Sequence, residues 1–229
     1  MSADETQLDR PQWSALTTTH ARFALANDLA RRYPPEIAPL SAVREVSDES
    51  VQALGALTEP GGVVGLFDAE PVRGSKNLTA FGHKPIEQMV YEGGTAAPAH
   101  GSYVHLTPAD VPDMMSLAEL TKPGPFAVRT IALGSYIGLR DGGRLVAMAG
   151  ERMRFPGFTE ISAVCVHPDH RRRGLSSLLV RALIRAILDR GETPFLHLYG
   201  DNRGAFSLYK KLGFSHRRSM TVTFLRRPH

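Results

Sequence analysis

Three consecutive arginines, Arg171, Arg172 and Arg173, stand directly before Gly174, Leu175 and two serines, Ser176 and Ser177. They lie where an apolar, β-branched run ending at Val166 gives way to a helical pattern that starts at Leu175. A helix leaves its first backbone N–H groups unpaired and carries partial positive charge at its start, so an anion bound there gains hydrogen bonds and a favourable dipole. Gly174 permits a tight turn and close approach of a ligand, and the serines are small enough to leave the amides open. A diphosphate is the ligand this arrangement suggests. Downstream, Asn202, Ala205, Leu208, Tyr209, Gly213 and Phe214 form a second spaced block.

These residues need a scaffold, and the C-terminal half supplies a legible one. Residues 103–106 read as a strand, and Thr107 with Pro108 opens a helix to about Leu120, Thr107 as N-cap and Pro108 at the first position. Residues 136–139 and 145–153 form a hairpin across Arg140-Asp141-Gly142-Gly143, a strong turn signal. Residues 160–166 form a central strand, 175–190 an apolar-faced helix stopped by Gly191, 194–199 a strand, 202–212 a helix and 220–225 a last strand. The N-terminal half is harder to read. Residues 16–32 suggest a helix ended by Pro34-Pro35, 51–57 a short helix and 62–67 a buried strand. The Gly- and Pro-rich stretch 92–101 reads as a join between a lobe of residues 1–100 and a domain of residues 101–229.

Together the two blocks resemble the acyl-CoA-binding motifs of the GNAT superfamily of N-acyltransferases. The likeness rests on Arg171-x-x-Gly174-x-Ser176, with Ser176 where Gly or Ala is commoner, and on Asn202-x-x-Ala205-x-x-Leu208-Tyr209-x-x-x-Gly213-Phe214. It covers residues 101–229. The fold it implies is α/β (α+β): a mixed, mostly antiparallel sheet flanked by helices, preceded here by a smaller α/β N-terminal lobe for which a degenerate copy of the same fold is one reading. Acetyl-CoA, or another acyl-CoA, is the implied co-substrate. An N-terminal lobe before such a domain resembles the glycine N-acyltransferase-like branch.

The resemblance also assigns roles. Glu160 lies fourteen residues before Gly174, the spacing of the glutamate that deprotonates the amine in the related histone acetyltransferases; Glu151 and Glu119 are alternative bases. Tyr209 matches the tyrosine that protonates the leaving thiolate, a feasible transfer between groups with ordinary pKa values of about 10 and 8.5. Val164, Cys165 and Val166 would pair through their backbone with an extended pantetheine arm, and an N–H there would serve as oxyanion donor. Asn202 would bond that arm or N-cap its helix. Strict alternation puts Cys165 on the opposite face from Glu160, which favours a structural thiol over an acyl-cysteine route, unless the strand carries a bulge. His197 reads as a satisfied core histidine, and His167 and His170 as loop residues beside the phosphates.

Composition bounds the alternatives. The 229 residues are 42% hydrophobic, ample for a core. No apolar run is long enough for a membrane helix and the polar start is no secretory signal, which points to a cytoplasmic protein. One cysteine excludes an internal disulfide, and no metal-ligand spacing occurs, so no metal is expected. Residues 1–100 carry 8 basic and 13 acidic side chains, net −5, and residues 101–229 carry 19 and 10, net +9. The positive field thus sits with the motifs and would attract coenzyme A. No nucleic-acid motif accompanies it, and no P-loop is present. The expected partner is a small-molecule amine or amino acid, with a peptide or protein lysine or N-terminus as alternative acceptor, a non-catalytic acyl-CoA sensor as the alternative outside enzymes, and a homodimer as a possible assembly.

Overall fold

The computed structural model describes residues 4–93 and 101–229. Most of the stretch 92–101, the expected join, therefore lies outside the described residues. The first half contains α1 (Pro11–Thr17), β1 (Leu25–Ala26), β2 (Ala30–Arg32), β3 (Leu40–Val43), α2 (Asp48–Ala56), β4 (Val63–Asp68) and β5 (Thr79–Tyr91). The second contains β6 (Val104–His105), α3 (Val111–Thr121), β7 (Tyr136–Asp141), β8 (Arg144–Phe155), β9 (Phe158–Val166), α4 (Leu175–Asp189), β10 (Thr193–Tyr199), α5 (Arg203–Lys211) and β11 (Phe214–Arg226).

All the strands join one sheet in the order β1-β2-β3-β4-β11-β5-β10-β9-β8-β7-β6. Its pairings are antiparallel except β3 with β4 and β9 with β10, so the expected mixed, mostly antiparallel sheet flanked by helices is what forms. Residue 100 does not mark a break in that sheet. β5, from the first half, pairs with β10, and β11, from the second, pairs with β4, while β5 and β11 pair with each other along nearly their whole length. Each half thus contributes a strand-helix-strand unit with parallel strands, and its last strand crosses to the other half.

α4 packs Leu179, Val180, Leu183, Ile184 and Ile187 against the sheet in one core cluster with Ile161, Leu196 and Tyr209. Its i, i+3/i+4 spacing makes that face, and Gly191, at φ +73°, ends the helix as the sequence suggests. On the other face α3 packs Met114, Leu117 and Ala118 with Met148, Ala163 and Cys165.

The expected helix over 16–32 does not form. The Thr17 and Thr18 hydroxyls donate back to the carbonyls of Trp13 and Ser14, and α1 ends at Thr17. The side-chain oxygen of Asn27 then accepts the N–H groups of Leu29 and Ala30, closing a turn between β1 and β2. This local turn chemistry overrides the weak helical pattern. β5 was not foreseen because Pro85 sits within it. Pro85 presents its carbonyl to Gly200 N, beyond the last β10 pairing at Tyr199 and Ile86. A strand residue's N–H and C=O point the same way, so the missing donor faces a place where β10 has already ended.

Candidate active site

The site is a wedge inside the sheet. β9 and β10 pair from Phe158 and Thr193 only as far as Glu160 and Phe195. Beyond that they separate, because β10 continues along β5 to Tyr199 while β9 stays with β8 to Val166. A cavity of about 510 Å³ fills the gap, walled by residues 161–166 of β9 on one side and by His197, Leu198 and Tyr199 of β10 on the other. Glu160 and Val166 are six residue steps apart along the strand, about 20 Å at the usual rise. The wedge therefore runs from a closed vertex to the loop ahead of α4.

A bulge shapes the β9 wall. Met148 pairs with Cys165 and Gly150 with Ser162, so Ala163 and Val164 together oppose the single Ala149. Ala163 takes φ +53°, a left-handed conformation costing a non-glycine residue about 1–2 kcal/mol. The extra residue frees backbone groups from the β8 ladder. It also reverses the side-chain parity. Ile161, Val164 and Val166 all meet the α4 cluster, while Ala163 and Cys165 meet the α3 cluster. Cys165 therefore shares a face with Glu160, and the expectation from strict alternation is corrected. Burial pushes the pKa of the thiol up to about 11, which disfavours the thiolate that an acyl-cysteine route needs.

At the open end, Arg172 (φ +62°) and Gly174 (φ +76°) both adopt left-handed backbone, and α4 starts at Leu175 with no side-chain cap and no acidic residue in its first turn. A Cβ on Gly174 would meet nothing within 4 Å, so its positive φ, and not crowding, is what requires glycine here. Arg171 and Ser176 line the cavity. Arg172, Arg173, Gly174, Leu175 and Ser177 adjoin these two in the chain but do not line the cavity, and none of the three arginines has a carboxylate partner among the described residues. His167 accepts the N–H of Asp169 at 3.3 Å and meets Arg144, and His170 bonds Asp141 at 3.0 Å, so both brace the loop.

Val164, Cys165, Val166, Asn202, Ala205 and Tyr209 all line the same cavity. Asn202 caps α5 by accepting the Ala205 N–H at 3.1 Å. The Tyr209 hydroxyl has no hydrogen-bond partner among the described residues, and burial pushes its pKa up to about 12. It is protonated throughout the neutral range and free to donate.

Glu160 is not placed to be the base. It is fully buried and does not line the cavity. An extra residue in β8 between Glu151 and Arg154 sets Arg152 beside it, and Arg152 Nε and Nη2 donate to its two oxygens at 2.7 and 2.6 Å. Burial pushes its carboxyl pKa up, but the Arg152 charge and hydrogen bonds, with that from His197, more than offset this and hold it at about 2. A carboxylate so held takes no proton from an amine. Of the alternatives, Glu151 is buried and bound to Arg190 at 2.8 Å, Glu119 is exposed on α3, and neither lines the cavity.

His197 and Arg152 do line it. The hydrogen bonds fix the histidine's tautomer. Arg217 donates to Gln88 Oε1, so the Gln88 amide nitrogen donates to Leu8 O and to His197 Nε2, and His197 Nδ1–H donates to Glu160 at 2.7 Å. His197 is a satisfied core histidine whose edge forms part of the wall. Arg152 and Gln88 carry no motif and were not singled out; only strand pairing brings them to the vertex. Pro39, Leu40, Gly65, Phe67 and Ile86 of the first half also line the cavity.

Residues 136–223 match the family model described as FR47-like protein. A solved GNAT-family structure from Novosphingobium aromaticivorans is 37% identical, with a TM-score of 0.91, covering 97% of this chain and 99% of its own. Over 84 residues the chain is 39% identical to the N-alpha-acetyltransferase RimI of Mycobacterium tuberculosis, covering 34% of this chain and 51% of that protein. It is 37% identical over 89 residues to the mycothiol acetyltransferase of Tsukamurella paurometabola, covering 37% and 30%. The chain spans about half or less of the length of the curated relatives it matches.

Proposed function

Since the chain belongs to the GNAT family of acyl-CoA N-acyltransferases, we propose that it moves an acyl group, most simply acetyl, from acyl-CoA to the primary amine of a small molecule or amino acid by direct attack. The observation that carries this reading is continuity: one cavity joins the uncapped start of α4, the open edge of β9 and the Tyr209 hydroxyl.

The residues divide the work. The loop nitrogens of residues 171–177 and the Arg171–Arg173 guanidinium groups hold the diphosphate, favoured by the helix dipole. The β9 edge from Val164 to Val166 pairs with the amides of the pantetheine arm, and an amide freed at the Ala163 bulge donates to the oxygen that gains charge during attack. The amine enters as free base, having lost its first proton to water. Its nitrogen forms the C–N bond as the C–S bond breaks. Tyr209 gives its proton to the departing sulfur and recovers one, through water, from the nitrogen that becomes the amide. With a phenol pKa of about 12, full transfer to a free thiolate is uphill, so Tyr209 works by sharing its proton while the C–S bond breaks. Among the described residues no carboxylate lines the cavity, and kcat/KM is expected to rise with pH towards the pKa of the amine.

The N-terminal lobe is read as a degenerate half of the same fold, as in the glycine N-acyltransferase-like branch, which its parallel β3-α2-β4 unit supports. A peptide amino terminus is the second acceptor class, favoured by the likeness to RimI. The test is titration calorimetry with acetyl-CoA on the full chain and on Arg171→Ala/Arg173→Ala. The expected result is micromolar binding weakened about 10- to 100-fold, the size of charged hydrogen bonds lost. No binding by the unaltered chain would overturn the reading.

A further inference from the structure

The acceptor's chemistry is written on the cavity wall, an inference that rests on the acyltransferase reading above. Among the described residues three cations line the cavity, Lys122, Arg152 and Arg171, and no aspartate or glutamate does. An acceptor with a second positive charge, such as a polyamine, would enter against these cations with no counter-charge. Arg171 stands at the start of α4, where the diphosphate is held. Arg152 lies at the opposite end, beside the vertex.

Arg152 is held like a recognition group. Its Nε and Nη2 are both taken by Glu160, which His197, Gln88 and Arg217 hold in turn. Nη1 has no hydrogen-bond partner among the described residues, and it is not among the polar atoms sealed without one. Glu160 is hidden behind the guanidinium, so the pair turns only its cationic side to the cavity. A planar guanidinium with one edge fixed offers its remaining N–H groups in a set direction, which suits a carboxylate. To the same cavity the first half and β11 contribute Leu40, Phe67, Ile86, Val222 and Phe224, with the Phe67 ring 5.1 Å from that of His197, a surface for an apolar side chain and not for a sugar or a polyamine.

We infer that the acceptor carries a carboxylate beside its amine, received by Nη1 of Arg152, and an apolar body received by the wall around Phe67. Apolar amino acids are the substrate class that meets all three conditions.

The experiment follows thiol release from acetyl-CoA by the full chain with the twenty standard amino acids, their amides, 2-phenylethylamine and spermidine. An apolar amino acid is expected to exceed its own amide and the simple amine by about tenfold or more in kcat/KM, the size of one charged hydrogen bond. In Arg152→Met/Glu160→Gln, which removes both charges together, the preference should fall to about twofold or less while acetyl-CoA affinity measured by calorimetry stays unchanged. Should that variant fail to fold, the acid-against-amide comparison in the unaltered chain decides alone. Equal or better turnover of amides or spermidine, a preference that persists in the folded variant, or acetyl-CoA binding with turnover of no amino acid would each overturn the inference. Absence of acetyl-CoA binding would overturn the acyltransferase reading instead.

Discussion

The β9-α4-β10 and β3-α2-β4 units share a connection, a strand, a helix and a parallel strand, yet only one encloses a usable space. Between β9 and β10 lies a cavity of about 510 Å³, whereas the corresponding region beside β3 and β4 retains about 10 Å³. The difference is made by α1. Gln12 donates to Gly65 O and accepts the Phe67 N–H, so a side-chain amide occupies the β4 edge much as an added strand would. The helix starts differ as well. α2 is capped by Ser47 and begins with Asp48 and Glu49, which satisfies an amide and cancels the dipole that an anion needs. α4 begins with Gly174, no side-chain cap and three arginines. Of the two units, the one whose opening is left unfilled is the one proposed to take an anion.

The largest expected effect lies at the functional vertex. Glu160→Gln leaves Arg152 buried with its charge uncompensated and should cost about 3–5 kcal/mol of stability, read as a lower denaturation midpoint. The same carboxylate predicts a pH dependence. Its folded pKa of about 2 lies below the unfolded value near 4.5, so its contribution is fully present above about 4.5 and is lost as pH falls towards 2; acid titration of unfolding in the unaltered chain and in Glu160→Gln should differ in that window. Next comes Tyr209→Phe, expected to lower kcat about 100-fold with acetyl-CoA affinity unchanged. An unchanged kcat would remove the chemical distinction between the two units. The smallest effect tests the filled unit. Gln12→Ala leaves the Phe67 amide unpaired and the Gly65 carbonyl with the Ser41 hydroxyl as its remaining side-chain donor, and should cost about 2 kcal/mol, with no change in acetyl-CoA affinity; weakened acetyl-CoA binding would mean that the two openings are coupled.

Legibility followed the range of the forces. α4, α5 and the β7–β8 hairpin were readable because their amphipathic spacing, caps and turn glycines act within a few residues. The uncapped start of α4 behind three arginines was readable for the same reason, since a helix start and the residues before it are neighbours in the chain. β5 was obscured by Pro85, whose missing N–H is harmless only because β10 ends beside it. Glu160 was misread because a residue's spacing from a glycine carries no information about what packs behind it. Arg152 is the partner that removes its basicity, and a bulge in the neighbouring strand brings it there.

By itself the sequence determined the class of the protein, an acyl-CoA enzyme fold, and pointed to residues 171–177 and Tyr209 as its proposed site, because those features depend on contiguous backbone and on short, regular spacing. Only the tertiary structure decided which groups face the cavity. The splay of β9 from β10, the bulge at Ala163, the Arg152–Glu160–His197 cluster and the wall donated by the first half all arise from pairings between residues far apart in the chain. Side-chain charge and accessibility follow from those pairings, since burial and a fixed counter-ion set what a carboxylate or a guanidinium can do.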